Sequence, residues 1–146
     1  MKRLALDLST VATGWAFGDG PHPLRYGTIA PPKKLDLAKR LVFVADAFYD
    51  LVDAHDPEEV VIEELHYLRG MPAVRALAGL RGVILYEATR CGLPVRFTVQ
   101  GSNYKAVGLP GNAKKEQVLA HIRALGFGVA NDNEADAVCV YKGGNT

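Results

Sequence analysis

The sequence predicts a single α/β domain in which a mixed five-stranded sheet is flanked by helices. The segment Lys2–Leu8 is almost unbroken in apolar character, which is typical of a central strand covered on both faces. Counted from this strand, the chain shows three strands, a helix, a strand, a helix, a strand and two helices, an order typical of a mixed sheet between helices. With 146 residues, the chain is long enough for one domain with a two- or three-layer core, so residues 1–146 are expected to form a single unit.

The first half of the chain supplies three antiparallel strands, a long helix and a short buried strand. In chain order these elements are predicted over Lys2–Leu8, Gly14–Gly18, Leu24–Ala30, Leu35–His55 and Val60–Ile62. The three strands are close in sequence and joined by turns rich in Gly, Ser and Pro, which favours an antiparallel meander. Apolar residues at helical spacing predict that the helix is amphipathic.

The second half of the chain supplies the remaining helices and one strand. They are predicted as a helix over Pro72–Cys91, a strand over Pro94–Val99, a helix over Ala113–Leu125 and a final helix through Val138 and Tyr141. Gly92 is a good stop for the first of these helices. Asp132 or Asn133 can cap the last one. The segment Gly101–Gly111 has no regular period and is predicted to be an exposed loop.

Composition narrows the functional classes. The net charge of +1 and the pI of about 7.8 exclude a polybasic tail, so a surface for nucleic acid has to come from local patches. Cys91 and Cys139 stand in apolar context without CxxC spacing, so we interpret them as reduced core thiols of a cytoplasmic protein. Because Lys2-Arg3 leads into a strand and no apolar run approaches about 20 residues, we expect neither a signal peptide nor contact with a membrane.

Carboxylates from three distant parts of the chain stand beside strongly apolar sequence. Asp7 interrupts the first strand, Glu63-Glu64 end the fourth strand, and the acids around Asp136 open the last helix. An ionised Asp in a buried strand needs a cation, a hydrogen-bonding partner or a shifted pKa. Mg²⁺ and Mn²⁺ prefer such oxygen ligands, and two ions about 4 Å apart can hydrolyse a phosphodiester. These residues favour a divalent-metal site, and the alternative is that they only open a loop and cap a helix.

Five motifs run in order through nearly the whole chain. They are the segments Leu6–Trp15, Val61–Glu64, Leu77–Gly82, Asn112–Val118 and Glu134–Val138. Together they resemble the RuvC-type Holliday-junction resolvases of the RNase H-like nuclease superfamily. The resemblance implies an RNase H-like fold with three antiparallel strands followed by two parallel strands. It also implies a crossover junction endodeoxyribonuclease that makes paired nicks in four-way DNA junctions during recombination, replication and repair. Because the chain is shorter than typical bacterial members, we interpret it as a compact, phage-like variant.

The resemblance assigns roles to individual residues. The catalytic set that it implies is Asp7, Glu63, Asp136 and Lys115. The three acids would hold two Mg²⁺ or Mn²⁺ ions, with Glu63 rather than Glu64 as the second acid. The family usually carries an acid or His three residues before its last Asp, and this chain has Asn133 there. The fourth metal ligand is therefore expected to be Asn133, or Asp132 instead.

Six residues are expected to contact DNA. They are Lys105, Lys114, Lys115, His66, Tyr67 and Arg69. A four-way junction is dense in phosphate, and a helix start with lysines and free backbone N–H groups suits phosphate. The resemblance places Tyr67 where the family has an aromatic wedge, and a ring stacked on a base contributes about 1–3 kcal/mol. It remains open whether the lysine pair is only solvated, whether Tyr67 caps the core, and whether Arg81 is a structural ion-pair partner.

The resemblance also implies a homodimer, because two matching nicks call for two sites related by a two-fold axis. Small residues on the Pro72–Cys91 helix would allow close approach of a second copy, although core packing explains them equally well. Three other functions compete with this one. They are another RNase H-like nuclease that cuts hybrids or flaps, an actin-like ATPase, for which the chain has no room, and a binding module inactivated at Asn133.

Overall fold

The computed structural model describes residues 1–64 and 70–145. Within these ranges the strands are β1 (Lys2–Asp7), β2 (Thr13–Asp19), β3 (Arg25–Ile29), β4 (Glu59–Glu63) and β5 (Val95–Thr98). The helices are α1 (Leu37–His55), α2 (Met71–Arg90), α3 (Gln100–Ala106), α4 (Lys115–Ala124) and α5 (Asp132–Gly143).

The five strands form one sheet in the order β3-β2-β1-β4-β5. Strand β1 pairs with β2, and β2 with β3, in antiparallel fashion. On its other edge β1 pairs with β4 in parallel fashion, and β4 pairs in the same way with β5. The predicted mixed sheet, with three antiparallel strands followed by two parallel strands, is confirmed.

Alternate residues of β1 point to opposite faces of the sheet. Leu4 and Leu6 pack with residues of α1 and α2, such as the fully buried Phe48. Ala5 packs in a second cluster with residues of α3, α4 and α5. Because Asp7 follows Ala5 by two positions, its side chain points to the α5 face of the sheet.

Strand β2 presents only small side chains to α5. They are Gly14, Ala16 and Gly18, which alternate along the strand. A Cβ atom at Gly14 would overlap the backbone carbonyl of Asn133, and one at Gly18 would overlap the ring of Tyr141. Helix α5 therefore lies directly against the sheet, which brings its acidic first half close to the end of β1.

The prediction of an exposed loop over Gly101–Gly111 is wrong. This segment contains most of α3, in which Asn103 is 0% and Tyr104 is 2% exposed. Val107 and Leu109, which follow the helix, are also buried. The segment folds back over the sheet because its apolar side chains join the cluster beneath α5.

The predicted cap of the last helix is also wrong. The N-cap residue is Asn131, whose side chain accepts a hydrogen bond from the main-chain N–H of Glu134 at 3.0 Å. Asp132 and Asn133 are the first residues of the helix itself. An N-cap side chain satisfies an N–H group that has no partner inside the helix, and Asn131 is the residue in position to do so.

Both cysteines are free thiols, as expected, and their burial differs. Cys139 is fully buried, whereas Cys91 is only half-buried. Burial raises the pKa of the Cys139 thiol to about 12, which makes it unreactive at neutral pH. In the described part of the chain, every helix is too short or too polar to cross a bilayer.

Candidate active site

Two acids lie side by side at the carboxyl ends of parallel strands. Leu6 of β1 is in register with Ile62 of β4, and Asp7 and Glu63 are the next residues on these strands. Neighbouring strands are about 5 Å apart, and residues at equivalent positions point to the same face. Both carboxylates therefore point toward α5.

The third acid, Asp136, comes from the first half of α5 and is only 3% exposed. Both of its oxygens have partners. The hydroxyl of Tyr104 donates a hydrogen bond to Oδ1 at 3.1 Å, and the ammonium group of Lys115 contacts Oδ2. Lys115 is the first residue of α4, and its side chain is 54% exposed. The predicted catalytic lysine and the last predicted acid thus meet in one site.

The adjacent acids Glu63 and Glu64 contact different groups. The amide Nδ2 of Asn103 donates a hydrogen bond to Oε1 of Glu63 at 3.1 Å. Glu64 forms an ion pair with Arg81, whose guanidinium lies 4.1 Å from the centre of the Phe97 ring. The hydrogen bond from Asn103 links Glu63 to α3, whereas Glu64 takes part in a structural ion pair. This geometry favours Glu63 as the functional acid and the structural interpretation of Arg81.

The acids interact with one another electrostatically. Burial and, to a smaller extent, repulsion from Glu63 and Asp136 together raise the pKa of Asp7 to about 8, although the positive charge of Lys115 opposes them. Burial lowers the pKa of Lys115, but its contact with Asp136 and the charges of the other two acids outweigh burial and raise it. The structure therefore gathers one basic and three acidic groups, far apart in sequence, into a cluster that attracts cations.

The donor set of this cluster fits a hard divalent cation. Carboxylate oxygens are the ligands that Mg²⁺ and Mn²⁺ prefer, and the ammonium group of Lys115 already compensates the charge of Asp136. As the side chains stand, no group of three or more His, Cys, Asp or Glu residues within residues 1–64 and 70–145 is arranged to hold a metal ion. Metal binding therefore requires side chains to adjust, and the contact between Lys115 and Asp136 is the first that has to loosen.

The first turn of α5 contains both candidates for a fourth ligand. The negative charge of Asp132 contributes to the raised pKa of Asp7, so this side chain lies within electrostatic range of the cluster. Asn133 is half-buried in the same turn. Glu134, by contrast, has a structural role, because its carboxylate accepts hydrogen bonds from a main-chain N–H at 3.0 Å and a threonine hydroxyl at 3.3 Å. The choice between Asp132 and Asn133 stays a prediction.

The residues predicted to bind DNA fall into two groups. Lys105 on α3 and Lys114 just before α4 are exposed, and both belong to the elements that also supply Tyr104 and Lys115. His66, Tyr67 and Arg69 lie outside the described residues. These two lysines thus lie on the elements that contact the acids, and their contact with DNA stays a prediction.

Sequence reasoning missed two residues of this site, Asn103 and Tyr104. Both are polar and lie in a segment with several glycines, which is typical of a loop. The available signal was the pair of apolar residues that follows, Val107 and Leu109, because an exposed loop does not need them.

A mixed sheet of this strand order, with half-buried acids at the ends of β1 and β4 and a buried acid on the last helix, defines a nuclease of the RNase H-like class. The sequence model of one family, described as crossover junction endodeoxyribonuclease RuvC, matches residues 14–141. The chain belongs to this family, whose members are metal-dependent nucleases.

Individual relatives agree with this assignment. The RuvC crossover junction endodeoxyribonuclease of Syntrophomonas wolfei is 32% identical over 149 residues, which cover 96% of this chain and 86% of the relative. That of Acidobacterium capsulatum is 37% identical over 136 residues, covering 86% and 80% of the two chains. The structure of T. thermophilus RuvC in complex with a Holliday junction substrate superimposes with a TM-score of 0.81 at 20% identity, covering 98% of this chain and 92% of that one. The structural likeness establishes that the two proteins share a fold.

Proposed function

We propose that this chain is a Holliday-junction resolvase, a structure-selective endonuclease that nicks opposite strands of a four-way DNA junction and leaves 5′-phosphate and 3′-hydroxyl ends. One observation carries the proposal. Asp7, Glu63 and Asp136 lie together at the end of the sheet, and Lys115 forms an ion pair with Asp136. Membership of the RuvC family and the junction bound by the T. thermophilus relative support the choice of substrate.

In the proposed mechanism the three acids bind metal ions and the lysine stabilises negative charge on the phosphate. Asp7, Glu63 and Asp136, with Asn133 or Asp132, would hold two Mg²⁺ or Mn²⁺ ions. Such ions, when bound, activate the attacking water and stabilise the leaving 3′ oxygen. Lys115 is about half exposed, so its ammonium group can turn from Asp136 toward the scissile phosphate and stabilise the negative charge that develops there.

Exposed lysines on two sides of the acids would hold the DNA. Lys105 and Lys114 lie on the α3 and α4 side. His66, Tyr67 and Arg69, outside the described residues, are proposed to contact the centre of the junction. These groups would neutralise the phosphates that lead into the cleavage site.

A second basic segment lies beside the turn that follows β1. Arg40 donates hydrogen bonds to the backbone carbonyls of Thr10 at 3.0 Å and Lys33 at 2.8 Å, which fastens residues 33–35 to that turn. Lys33, Lys34 and Lys39 are exposed there and form no ion pair with any described residue. Their charge is therefore available to a DNA arm at the same end of the sheet as the acids.

The functional unit would be a cytoplasmic homodimer of single nuclease domains, each formed by residues 1–146. Helices α1 and α2, which cover the sheet face opposite the acids, carry exposed apolar side chains. The most exposed of these are Val42 at 59%, Met71 at 59% and Tyr86 at 60%. A second copy packed on this layer would remove them from water and would supply the second active site.

Cleavage of a synthetic four-way junction with Mg²⁺ or Mn²⁺ tests the proposal. The wild-type protein should cut the junction in symmetrical pairs and leave a linear duplex of the same sequence intact. Asp7→Asn should bind the junction without cutting it, whereas Asp50→Asn, at an exposed position on α1, should cut like wild type. Equal cutting of junction and duplex, or preferential cutting of an RNA–DNA hybrid, would contradict a resolvase. Junction binding with no cleavage by the wild type would indicate an inactive binding module.

A further inference from the structure

One short helix, α3, donates a hydrogen bond to each of two acids in the proposed metal site. Asn103 donates to Glu63 and Tyr104 donates to Asp136, both at 3.1 Å. We propose that Asn103 and Tyr104 are positioning residues, which hold these two carboxylates in the orientation that binds the divalent cations. This inference rests on the proposed function, because it concerns the same acids.

Tyr104 orients Asp136 without competing with a cation. Its ring is buried among residues of α4 and α5, so the hydroxyl has a fixed position. The hydroxyl binds Oδ1 of Asp136, while Lys115 binds Oδ2. A neutral donor can stay in place when a metal ion takes over the other oxygen, whereas the lysine has to move. Tyr104 is therefore the partner that persists in the metal-bound site.

The amide of Asn103 has one favourable orientation. Its Nδ2 faces Glu63, and its Oδ1 is buried without a hydrogen-bond partner among the described residues. This oxygen lies against Gly143 of α5, at a place that a Cβ atom would fill. The reverse orientation would set the amide oxygen against the carboxylate of Glu63, which is repulsive. A buried oxygen without a hydrogen-bond partner destabilises the fold. The hydrogen bond to Glu63, rather than core packing, therefore explains an asparagine at this position.

Helix α3 couples the two acids through its own geometry. It begins two residues after β5, whose Thr98 is in register with Glu63 on β4. Consecutive residues of a helix point about 100° apart, so Asn103 reaches back to the strand and Tyr104 reaches across to α5. The spacing between Glu63 and Asp136 is thus fixed by one turn of a packed helix, not by two independent side chains.

The test uses two variants that remove only a donor. Tyr104→Phe loses the hydroxyl, and Asn103→Leu replaces the amide by an apolar group of similar size. Hydrogen bonds of this kind typically contribute about 10- to 100-fold to metal affinity or activity. Each variant is therefore expected to bind Mn²⁺ at least about 10-fold more weakly, as measured by electron paramagnetic resonance without DNA.

Tyr141→Phe is the matched control, because Tyr141 is a buried tyrosine on α5 at the opposite end from the acids. It should bind Mn²⁺ like wild type. Cleavage by Tyr104→Phe should recover to within a few-fold of wild type at saturating Mn²⁺, and Asn103→Leu should be at least as resistant to urea as wild type. A merely structural role would produce neither result.

The outcomes separate this inference from the proposed function. A wild-type protein that binds no Mn²⁺ and cuts no junction would overturn both. If the wild type binds Mn²⁺ and cuts, but both donor variants bind Mn²⁺ as tightly as Tyr141→Phe, the positioning role of α3 is wrong and the proposed function stands.

Discussion

Replacing Asp7 by Asn is expected to stabilise the metal-free protein at neutral pH, although it removes a catalytic group. Burial, followed by repulsion from Glu63 and Asp136, raises the pKa of Asp7 from 3.8 to about 8. When the pKa of an acid is higher in the folded state, the unfolded state releases the proton first. The free energy of unfolding therefore falls as the pH rises between these two values.

The size of the effect follows from the interval between the lower pKa and the working pH. Each pH unit within that interval corresponds to about 1.4 kcal/mol, so at pH 7 keeping Asp7 protonated in the folded state costs about 4 kcal/mol. Asp7→Asn should thus raise the free energy of unfolding at pH 7 by up to about 4 kcal/mol. At pH 4, which lies close to the pKa of Asp7 in the unfolded state, the difference should fall below about 1 kcal/mol.

Urea unfolding followed by circular dichroism, with a chelator present, measures this difference at several pH values. Asp50→Asn is the control, since it removes an exposed acid of the same type from α1 and should change the free energy of unfolding little at any pH. If the free energies of unfolding of Asp7→Asn and Asp50→Asn at pH 7 are both close to that of wild type, then burial and the charges of Glu63 and Asp136 do not destabilise ionised Asp7. The electrostatic description of the site would be refuted.

Two further substitutions test how the site is built and how it meets DNA. Gly14→Ala places a methyl group against the α5 backbone, so it should lower the free energy of unfolding by about 1–3 kcal/mol and the rate of junction cleavage by about 100-fold. Gly82→Ala is the control, because Gly82 has open space around it, and it should leave cleavage unchanged. Wild-type cleavage by Gly14→Ala would show that close packing of α5 is not required. Replacing Lys33 and Lys34 together by Ala should reduce the slope of log affinity against log salt by about 2, whereas Lys142→Ala, in the last turn of α5 away from the acids, should leave it unchanged. Equal slopes for both would place residues 33 and 34 outside the DNA contact.

Much of the sheet could be predicted from the sequence because its signals are local. An apolar run with a single acid indicates a central strand, and a second short apolar run that ends in an acid indicates another buried strand, which the family resemblance places parallel to the last strand. Since side chains alternate along a strand, Asp7 and Glu63 had to share a face once their strands were adjacent. The meeting of these two acids follows from register, and the structure agrees with it.

Helix α3 could not be predicted because its stability is not local. It has only seven residues, including a glycine near its start, and a helix of this length is not stable alone. The buried contacts of Asn103 and Tyr104 with α5 and β4 stabilise it, and these partners lie about 30 to 40 residues away. Two donors of the site therefore stood in a segment that resembles a loop.

The N-cap of α5 was missed for a different reason. Asn131, Asp132 and Asn133 are consecutive and all are good capping residues, so local propensity does not choose among them. The choice is made by tertiary contacts, because Asn131 also bonds to the hydroxyl of Thr28 on β3 at 3.2 Å. The same shift sets Asp132 and Asn133 inside the helix, where they become the candidates for a fourth metal ligand.

Anomalous diffraction from crystals of the protein grown with Mn²⁺ tests most directly whether the three acids form one metal site. A shared metal site predicts two peaks among the carboxylates of Asp7, Glu63 and Asp136, with metal–oxygen distances of about 2.1 Å and the Lys115 ammonium withdrawn from Asp136. A protein that cuts junctions yet shows its Mn²⁺ peaks elsewhere, with Lys115 still bound to Asp136, would contradict it.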